Sequence, residues 1–239
     1  MIKYFKHIRK SQIQENKMFS KIVMLAFLIF LFGCGKQSKN IQDVLDVSEE
    51  PNHKLVFEND LFQILDIQFM PGDTSCFHKH NRATLYTSLG WYGSAWQYPG
   101  SDWESSSEQW SAGGVEFDNS YLKETLVHRV TNIGQRTSRI IAIVHKGVGN
   151  GQLAETDKYE LANSWFRVQR FIVSPKDTLS AIALPSTQVL IFPNEGHLVR
   201  IEEKSNITFS KKWGLLKPED RLVNQSPQPV VAIAIEVLD

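Results

Sequence analysis

The sequence predicts an all-β fold made of two tandem barrels that follow an N-terminal signal and a tether. From about residue 55 onward, short runs of Ile, Val, Leu, Phe and Thr are separated by Gly, Pro, Asn and Asp. This pattern is typical of short antiparallel strands joined by turns. No long segment has the 3.6-residue apolar period of an amphipathic helix, so we expect strands throughout this region.

An internal repeat predicts that there are two barrels. Residues 59–74 align with residues 163–178 at an offset of 104, and Asn, Phe, Pro, Asp and Thr recur at matching positions. The apolar run after Asn132 is repeated after Asn224. Such a repeat indicates two structural units of one kind. We expect barrel 1 at residues 55–147, a linker at 148–162 and barrel 2 at 163–239.

Residues 1–33 have the layout of an export signal. Lys17 and Lys21 precede the run Ile22–Phe32, whose eleven apolar residues are too few for a helix across a bilayer core of about 30 Å. A basic segment, a short apolar segment and a small residue define a secretory signal. The following Leu-Phe-Gly-Cys resembles a bacterial lipobox, which implies that Cys34 is acylated and anchors the protein. Met1 and Met18 are both candidate start residues.

The mature chain that begins at Cys34 has a polar first segment and a net negative charge. Residues 34–54 are polar without apolar periodicity, which predicts a tether. Six of the 26 basic and one of the 26 acidic residues lie in the signal, so the mature chain has 20 basic and 25 acidic residues. A net charge of about −5 argues against a nucleic-acid partner. The predicted location is the cell envelope, facing the periplasm or the exterior; oligomeric state is not indicated.

A pair of histidines marks the candidate site. His78 and His80 follow a Pro-Gly turn, and on a strand they point to the same face about 7 Å apart. A third histidine from a distant strand, His128, would complete a metal site with open coordination positions.

These residues resemble the motifs of the cupin family. Gly72, His78, His80 and Gly90 match the first motif, and His128 with Asn132 matches the end of the second. Thr84 or Leu85 stands in place of the usual glutamate, and residues 123–125 replace a Pro-x-Gly. The resemblance implies jelly-roll barrels and a three-histidine site similar to that of thiol dioxygenases and some other iron cupins.

Three roles remain open from the sequence. One is a metal-dependent, oxygenase-like enzyme acting on a small molecule, and the second is an envelope lipoprotein that binds a small ligand or metal without turnover. The third is a structural role in which the barrels only mediate envelope contacts. Three neutral histidines suit Fe(II), with Zn, Ni, Cu or Mn as alternatives.

Further ligand contacts are expected near the histidines. Arg82, Thr84 and Tyr86 have the same strand parity as His80, and Arg82 could bind a carboxylate. Most rings between Trp91 and Trp110 are expected to pack in the barrel wall, with Trp91 and Trp96 as the exposed candidates for substrate binding.

The second half lacks the histidines. At the offset of 104, His78 and His80 correspond to Ile182 and Leu184. His128 corresponds to Asp220 when Asn132 is aligned with Asn224. These replacements predict a metal-free second barrel. Three further histidines of the mature chain are expected at the surface or at strand ends, and these are His53, His145 and His197.

Overall fold

The protein is all-β in a computed structural model that describes residues 44–149, 158–180, 187–194, 198–200 and 212–239. This confirms the predicted fold class. The predicted signal, Cys34, Ile182, Leu184 and His197 lie outside these residues. Within them, no helix is long and apolar enough to cross a membrane.

Nine strands and one 3-10 turn make up the first half. They are β1 (Leu45–Asp46), β2 (His53–Glu58), β3 (Phe62–Phe69), β4 (His78–His80), β5 (Thr84–Gln97), β6 (Trp103–Trp110), β7 (Val115–Asp118), the turn Ser120–Leu122, β8 (Leu126–Asn132) and β9 (Ser138–His145). The strands form one sheet in the order β1-β4-β8-β5-β9-β3-β2, with β6 and β7 also paired to β5.

The described part of the second half contains eight strands. They are β10 (Leu161–Ala162), β11 (Phe166–Val173), β12 (Thr178–Ser180), β13 (Gln188–Ile191), β14 (Leu198–Arg200), β15 (Trp213–Leu216), β16 (Arg221–Asn224) and β17 (Val230–Val237). They form a five-stranded sheet, β10-β11-β17-β13-β15, and a three-stranded sheet, β12-β16-β14.

Strand β5 turns a corner that curls the first sheet. Its first part pairs with β9, and its second part pairs with β8 from Ser94 onward. The register shifts between Ser88 and Gly90, and such a bulge bends a strand. Gly90 has φ +126°, and a Cβ there would lie 2.7 Å from the hydroxyl of Tyr92. This glycine therefore permits the bend that brings β8 beside β4.

Alternating side chains divide the core into three clusters. Residues of β3 and β9 on one face, including Leu65 and Ala142, pack inside the first half. Residues on their other face, including Ile64, pack against Phe166 and Ile233 of the second half. A third cluster fills the second half. The cluster between the halves joins them, and Val44–Asp239 forms one compact unit.

The sequence repeat corresponds to repeated hydrogen bonds. Asn132 Nδ2 donates to the carbonyl of Phe69 at 3.0 Å, and Asn224 Nδ2 donates to the carbonyl of Val173 at 2.8 Å. Each amide also donates to the carbonyl four residues further on. The same contacts thus close the same corner of both halves.

The compact unit begins earlier than the predicted boundary at residue 55. Strand β1 pairs in parallel with β4, and Val47, Glu50 and His53 are buried. The polar composition of this stretch suggested a tether, but Glu50 and His53 have hydrogen-bond partners inside the protein. Similarly, the end of the predicted linker forms β10, which pairs with β11.

Candidate metal centre

The three predicted histidines lie together where β4 pairs with β8. His78 is directly opposite His128 in this antiparallel pair, and His80 is two residues along the same face. The ring centroids are 4.8–5.0 Å apart. His78 and His80 are buried, whereas His128 is partly exposed. The fold therefore converges three imidazoles from segments 48 or more residues apart in sequence.

Their nitrogen positions fit a shared ion. One ring nitrogen from each histidine lies within 4.8 Å of the other two, and the Nε2 atoms of His80 and His128 are 3.1 Å apart. Two nitrogens bound to one metal at about 2.0–2.1 Å, at angles of about 90–109°, would be about 2.8–3.4 Å apart. The His80–His128 pair already has this spacing, and a small ring movement would bring in His78.

Burial keeps these imidazoles neutral. Desolvation is the largest cause of the low pKa values of all three rings. The pKa of His78 is lowered, that of His80 lies well below its usual range, and that of His128 is lowered to about 3. The neighbouring histidines lower the pKa of His80 and His128 further. A neutral imidazole presents a nitrogen lone pair, so the cluster offers three metal donors at neutral pH.

A backbone contact orients His78. Its Nδ1 lies 3.0 Å from the carbonyl oxygen of Cys76, which can only accept a hydrogen bond. Nδ1 must therefore carry the proton, and the lone pair is on Nε2. Fixing the second nitrogen in this way is a common arrangement for metal-binding histidines.

Tyr86, whose predicted role as a ligand contact stays a prediction, contacts a histidine of the cluster. Its hydroxyl is 3.3 Å from His80 Nδ1 and 3.4 Å from the hydroxyl of Tyr121. Burial raises the pKa of Tyr86 well above its usual range and that of Tyr121 to about 12. Both phenols remain protonated at neutral pH and can donate hydrogen bonds.

Beside the cluster lie two buried residues that the sequence patterns did not identify as part of the site. The His53 ring is 4.6 Å from the His78 ring, and its Nδ1 donates to the carbonyl of Val47 at 3.1 Å. Glu50 accepts backbone hydrogen bonds from Asn52 and Cys76, and burial raises its pKa. They lie in the polar stretch before β3, where no apolar period marked them as part of the fold.

His53 and His145 lie at strand ends, at the start of β2 and the end of β9, which is one of the two predicted alternatives, but neither ring is at the surface. His53 is 5% exposed and His145 is 1% exposed. His145 Nε2 donates to the carbonyl of Leu238 at 2.7 Å, and its Nδ1 accepts from the backbone N–H of Gly147 at 2.9 Å. Backbone groups thus satisfy both ring nitrogens of His145 and Nδ1 of His53, whose Nε2 lies 3.7 Å from a carboxyl oxygen of Glu50.

The other predicted ligand contacts are arranged differently. Arg82 is exposed, and its guanidinium donates to the carbonyl of Lys146 at 2.7 Å. Trp91 and Trp96 are half-buried, and the Trp91 ring packs edge-on to Phe69 at 6.0 Å. Trp103 is the more exposed indole, at 41%. A role of Arg82, Trp91 or Trp96 in substrate binding stays a prediction.

A surface depression of about 400 Å³ lies away from the cluster. Its lining includes Tyr92, Gln109, Ile133 and Arg136 but none of the three histidines. It is an open groove between β6 and the turn after β8, and we assign the chemistry to the histidines because their donor atoms converge.

The second half has an ion pair at the position equivalent to His128. Asp220 is 4% exposed, and its Oδ2 accepts from Arg200 Nη2 at 2.8 Å and from the backbone N–H of Lys217 at 2.8 Å. Instead of a neutral metal donor, this position holds a carboxylate already bound to protein groups.

Comparisons with known proteins give a likeness of fold. No family model and no curated protein matches the chain. Among solved structures, the bacterial pirin YhhW from Escherichia coli in complex with nickel(II) is 14% identical, with TM-score 0.49, covering 78% of this chain and 90% of that chain. AerE from Microcystis aeruginosa is 9% identical, with TM-score 0.48, covering 80% and 99%. A cupin domain from Bordetella pertussis is 17% identical, with TM-score 0.34, covering 40% and 92%.

Proposed function

We propose that this protein is a cell-envelope lipoprotein whose cupin-type first barrel binds a divalent metal through His78, His80 and His128. The observation that supports it most is the 3.1 Å separation of the Nε2 atoms of His80 and His128, within a cluster of three neutral imidazoles. This separation equals the spacing of two nitrogens bound to one metal ion. Burial favours the neutral form of both rings, in which each imidazole has a lone pair to give to a metal.

The favoured ion is Fe(II), with Zn, Ni, Cu and Mn as alternatives. Bound to three neutral histidines, Fe(II) would keep its full charge and open coordination positions, which supply oxygenase-like chemistry on a small molecule. The chain would hold the ion with three neutral nitrogen donors. His78 and His80 are buried, whereas His128 is partly exposed, so a small molecule would reach the ion from the side of His128.

The alternative is an envelope lipoprotein that binds a small ligand or metal without turnover. Thr84 occupies one of the two positions where the cupin motif has glutamate, and its hydroxyl donates to the carbonyl of Arg82 at 3.0 Å. The residue at that position is thus neither a carboxylate ligand nor a general base. This observation favours binding over catalysis.

Titration of the metal-free chain with Co(II) tests the metal site, because Co(II) replaces Fe(II) or Zn(II) and absorbs in the visible range. We expect one Co(II) per chain in the wild type and weak or no binding in His78→Ala. Lys79→Ala, from the same strand but the opposite face, is the matched control and should bind normally. Wild-type binding that survives His78→Ala would contradict the site.

Azide then distinguishes the two functions. If a coordination position is open, as the enzyme hypothesis requires, azide should shift the visible bands of the Co(II) protein. Unchanged bands would indicate a closed site and favour the non-catalytic alternative.

Acylation of Cys34 is proposed from the lipobox-like sequence that precedes it. Two acyl chains would anchor the protein stably in a membrane. We expect a palmitate analogue to label the wild type and not Cys34→Ser, and we expect Cys34→Ser to leave the membrane fraction. Cys76 is the other cysteine in the sequence, and a Cys34–Cys76 disulfide found by peptide mass spectrometry would contradict acylation because both use the Cys34 thiol.

A further inference from the structure

Comparison of the two halves identifies a tyrosine that accompanies the histidines. Tyr86 on β5 pairs with Ala142 on β9, and Leu190 on β13 pairs with Ala234 on β17. The two positions are 104 residues apart, which is the repeat offset, so Leu190 is the equivalent of Tyr86. A leucine in the half that lacks the three-histidine set indicates that the barrel does not need a phenol there for packing.

A second tyrosine lies on a segment that is longer in the first half. β7 and β8 are joined by residues 119–125, which contain the 3-10 turn Ser120–Leu122. The equivalent strands β15 and β16 are joined by the shorter segment 217–220. The additional turn places the Tyr121 ring 5.1 Å from the His80 ring. Both tyrosines therefore belong to features that distinguish the histidine-bearing half.

The contacts form a hydrogen-bond chain with a defined direction. Tyr86 donates its single hydroxyl hydrogen to the Tyr121 hydroxyl, which is 3.4 Å away. At its 3.3 Å contact with His80 Nδ1, Tyr86 must then accept, so Nδ1 carries the proton. Burial and, after it, the nearby Asp118 raise the pKa of Tyr121. The chain runs from a histidine N–H through two phenols, with the Asp118 side chain close to the second phenol.

We propose that Tyr86 is a positioning residue for the metal ligand His80, and that Tyr121 extends the hydrogen bonding of Tyr86. This inference rests on the proposed metal site. Holding the proton on Nδ1 directs the His80 Nε2 lone pair towards Nε2 of His128. Such outer contacts tune metal affinity because they fix the tautomer and the ring orientation.

Tyr86→Phe in the full chain tests the proposal by removing only the hydroxyl. We expect Co(II) affinity to fall by about 10–100-fold and the visible bands to shift, with a smaller loss for Tyr121→Phe. The matched control is Tyr92→Phe, which lies on the same strand and contacts Arg136 instead of a histidine. A Tyr86→Phe protein with the affinity and spectrum of the control would overturn the proposal.

A second readout needs no metal. Nitrogen-15 chemical shifts of the histidines report which ring nitrogen carries the proton. We expect His80 to be protonated at Nδ1 in the metal-free wild type and in Tyr92→Phe, and to be a mixture of tautomers in Tyr86→Phe. The same Nδ1 tautomer in all three would overturn the positioning role.

The two readouts separate the failure of this inference from that of the metal site. One outcome is a wild type that fails to bind Co(II) while the Tyr86→Phe variant still loses the preference of His80 for the Nδ1 proton. That result would contradict the proposed function and support the hydrogen-bond chain. If Tyr86→Phe does not fold, Tyr121→Phe replaces it, because the Tyr121 side chain is only half-buried. A Tyr121→Phe protein with the same Co(II) affinity and the same His80 tautomer as Tyr92→Phe would then overturn the proposal.

Discussion

Individual histidines determine both the chemistry of the cluster and its cost to the fold. A buried imidazole that stays neutral favours metal binding, but it also opposes folding when the unfolded chain can take up a proton. The pKa of His53 and that of His128 are each lowered to about 3 from an ordinary 6.5, chiefly by burial. The folded protein therefore binds fewer protons than the unfolded chain in mildly acidic solution.

The stability of the metal-free protein should thus fall as the pH decreases below about 6.5, and it should be fully retained above that value. Each such histidine contributes at most about 1.4 kcal/mol per pH unit between pH 6.5 and its folded pKa. Urea unfolding with a chelator at pH 7.5, 6.5 and 5.5 measures the slope. His128→Asn should have a shallower slope than the wild type, and equal slopes would contradict the assignment of His128 as a neutral buried group.

Residue patterns in the sequence identified the cluster but not its surroundings. The spacing of His78 and His80 placed both on one face because strand geometry is local. Glu50 and His53 could not be found in this way, because they are buried through contacts with the distant β4 and through backbone hydrogen bonds. Arg82 had the parity of His80, yet it lies before β5 begins, where strand parity no longer applies.

At the scale of elements, the corner asparagines hold β8 and β16 in place. Asn132 and Asn224 are each 1% exposed or less, and each amide bonds to two carbonyls and to a backbone N–H two residues on. Their roles in the two halves are equivalent, but β8 also bears His128. They form a matched pair for separating fold from site.

We expect Asn132→Ala and Asn224→Ala to destabilise the protein by similar amounts, about 2–4 kcal/mol, because each leaves buried backbone groups unpaired. Of the two, Asn132→Ala should also weaken Co(II) binding, since it loosens the strand that positions His128. Urea unfolding and Co(II) titration of both variants check this. Equal metal affinity in the two variants would show that the corner does not position the histidine.

The order of the strands was less predictable than their existence. The apolar and turn residues indicated strands, and the repeat related the sequence of β3 to that of β11. The pairing of one strand, β5, with both β9 and β8 depends on the bulge before Gly90. Such a bulge is set by tertiary pairing, and a single glycine in a sequence does not reveal it.

At the scale of the whole molecule, the halves share an apolar cluster. Phe62, Ile64 and Ile143 of the first half pack with Phe166 and Ile235 of the second. Either half alone would expose this face to water, at about 25 cal/mol per Å² of apolar area. The repeat predicted two units. However, one face of β3 and β9 packs inside the first half and the other face packs against the second half, so the stability of each half depends on the other.

We therefore expect one cooperative unfolding transition for the metal-free protein. Differential scanning calorimetry should give a calorimetric enthalpy equal to the van't Hoff enthalpy, as two-state unfolding requires. Ile64→Ala, which removes a fully buried side chain from the shared cluster, should lower the single midpoint and not split it. Two separate transitions in the wild type would contradict the shared core.

The most direct test of the central claim is the metal content of the full chain, purified in detergent without chelators or a histidine tag. Elemental mass spectrometry should find close to one divalent metal per chain, and His78→Ala/His128→Ala should contain almost none. The element found would direct the search towards oxidation or hydrolysis. A chain that contains no metal, even after loading with Fe(II) or Zn(II), would contradict the proposed metal centre.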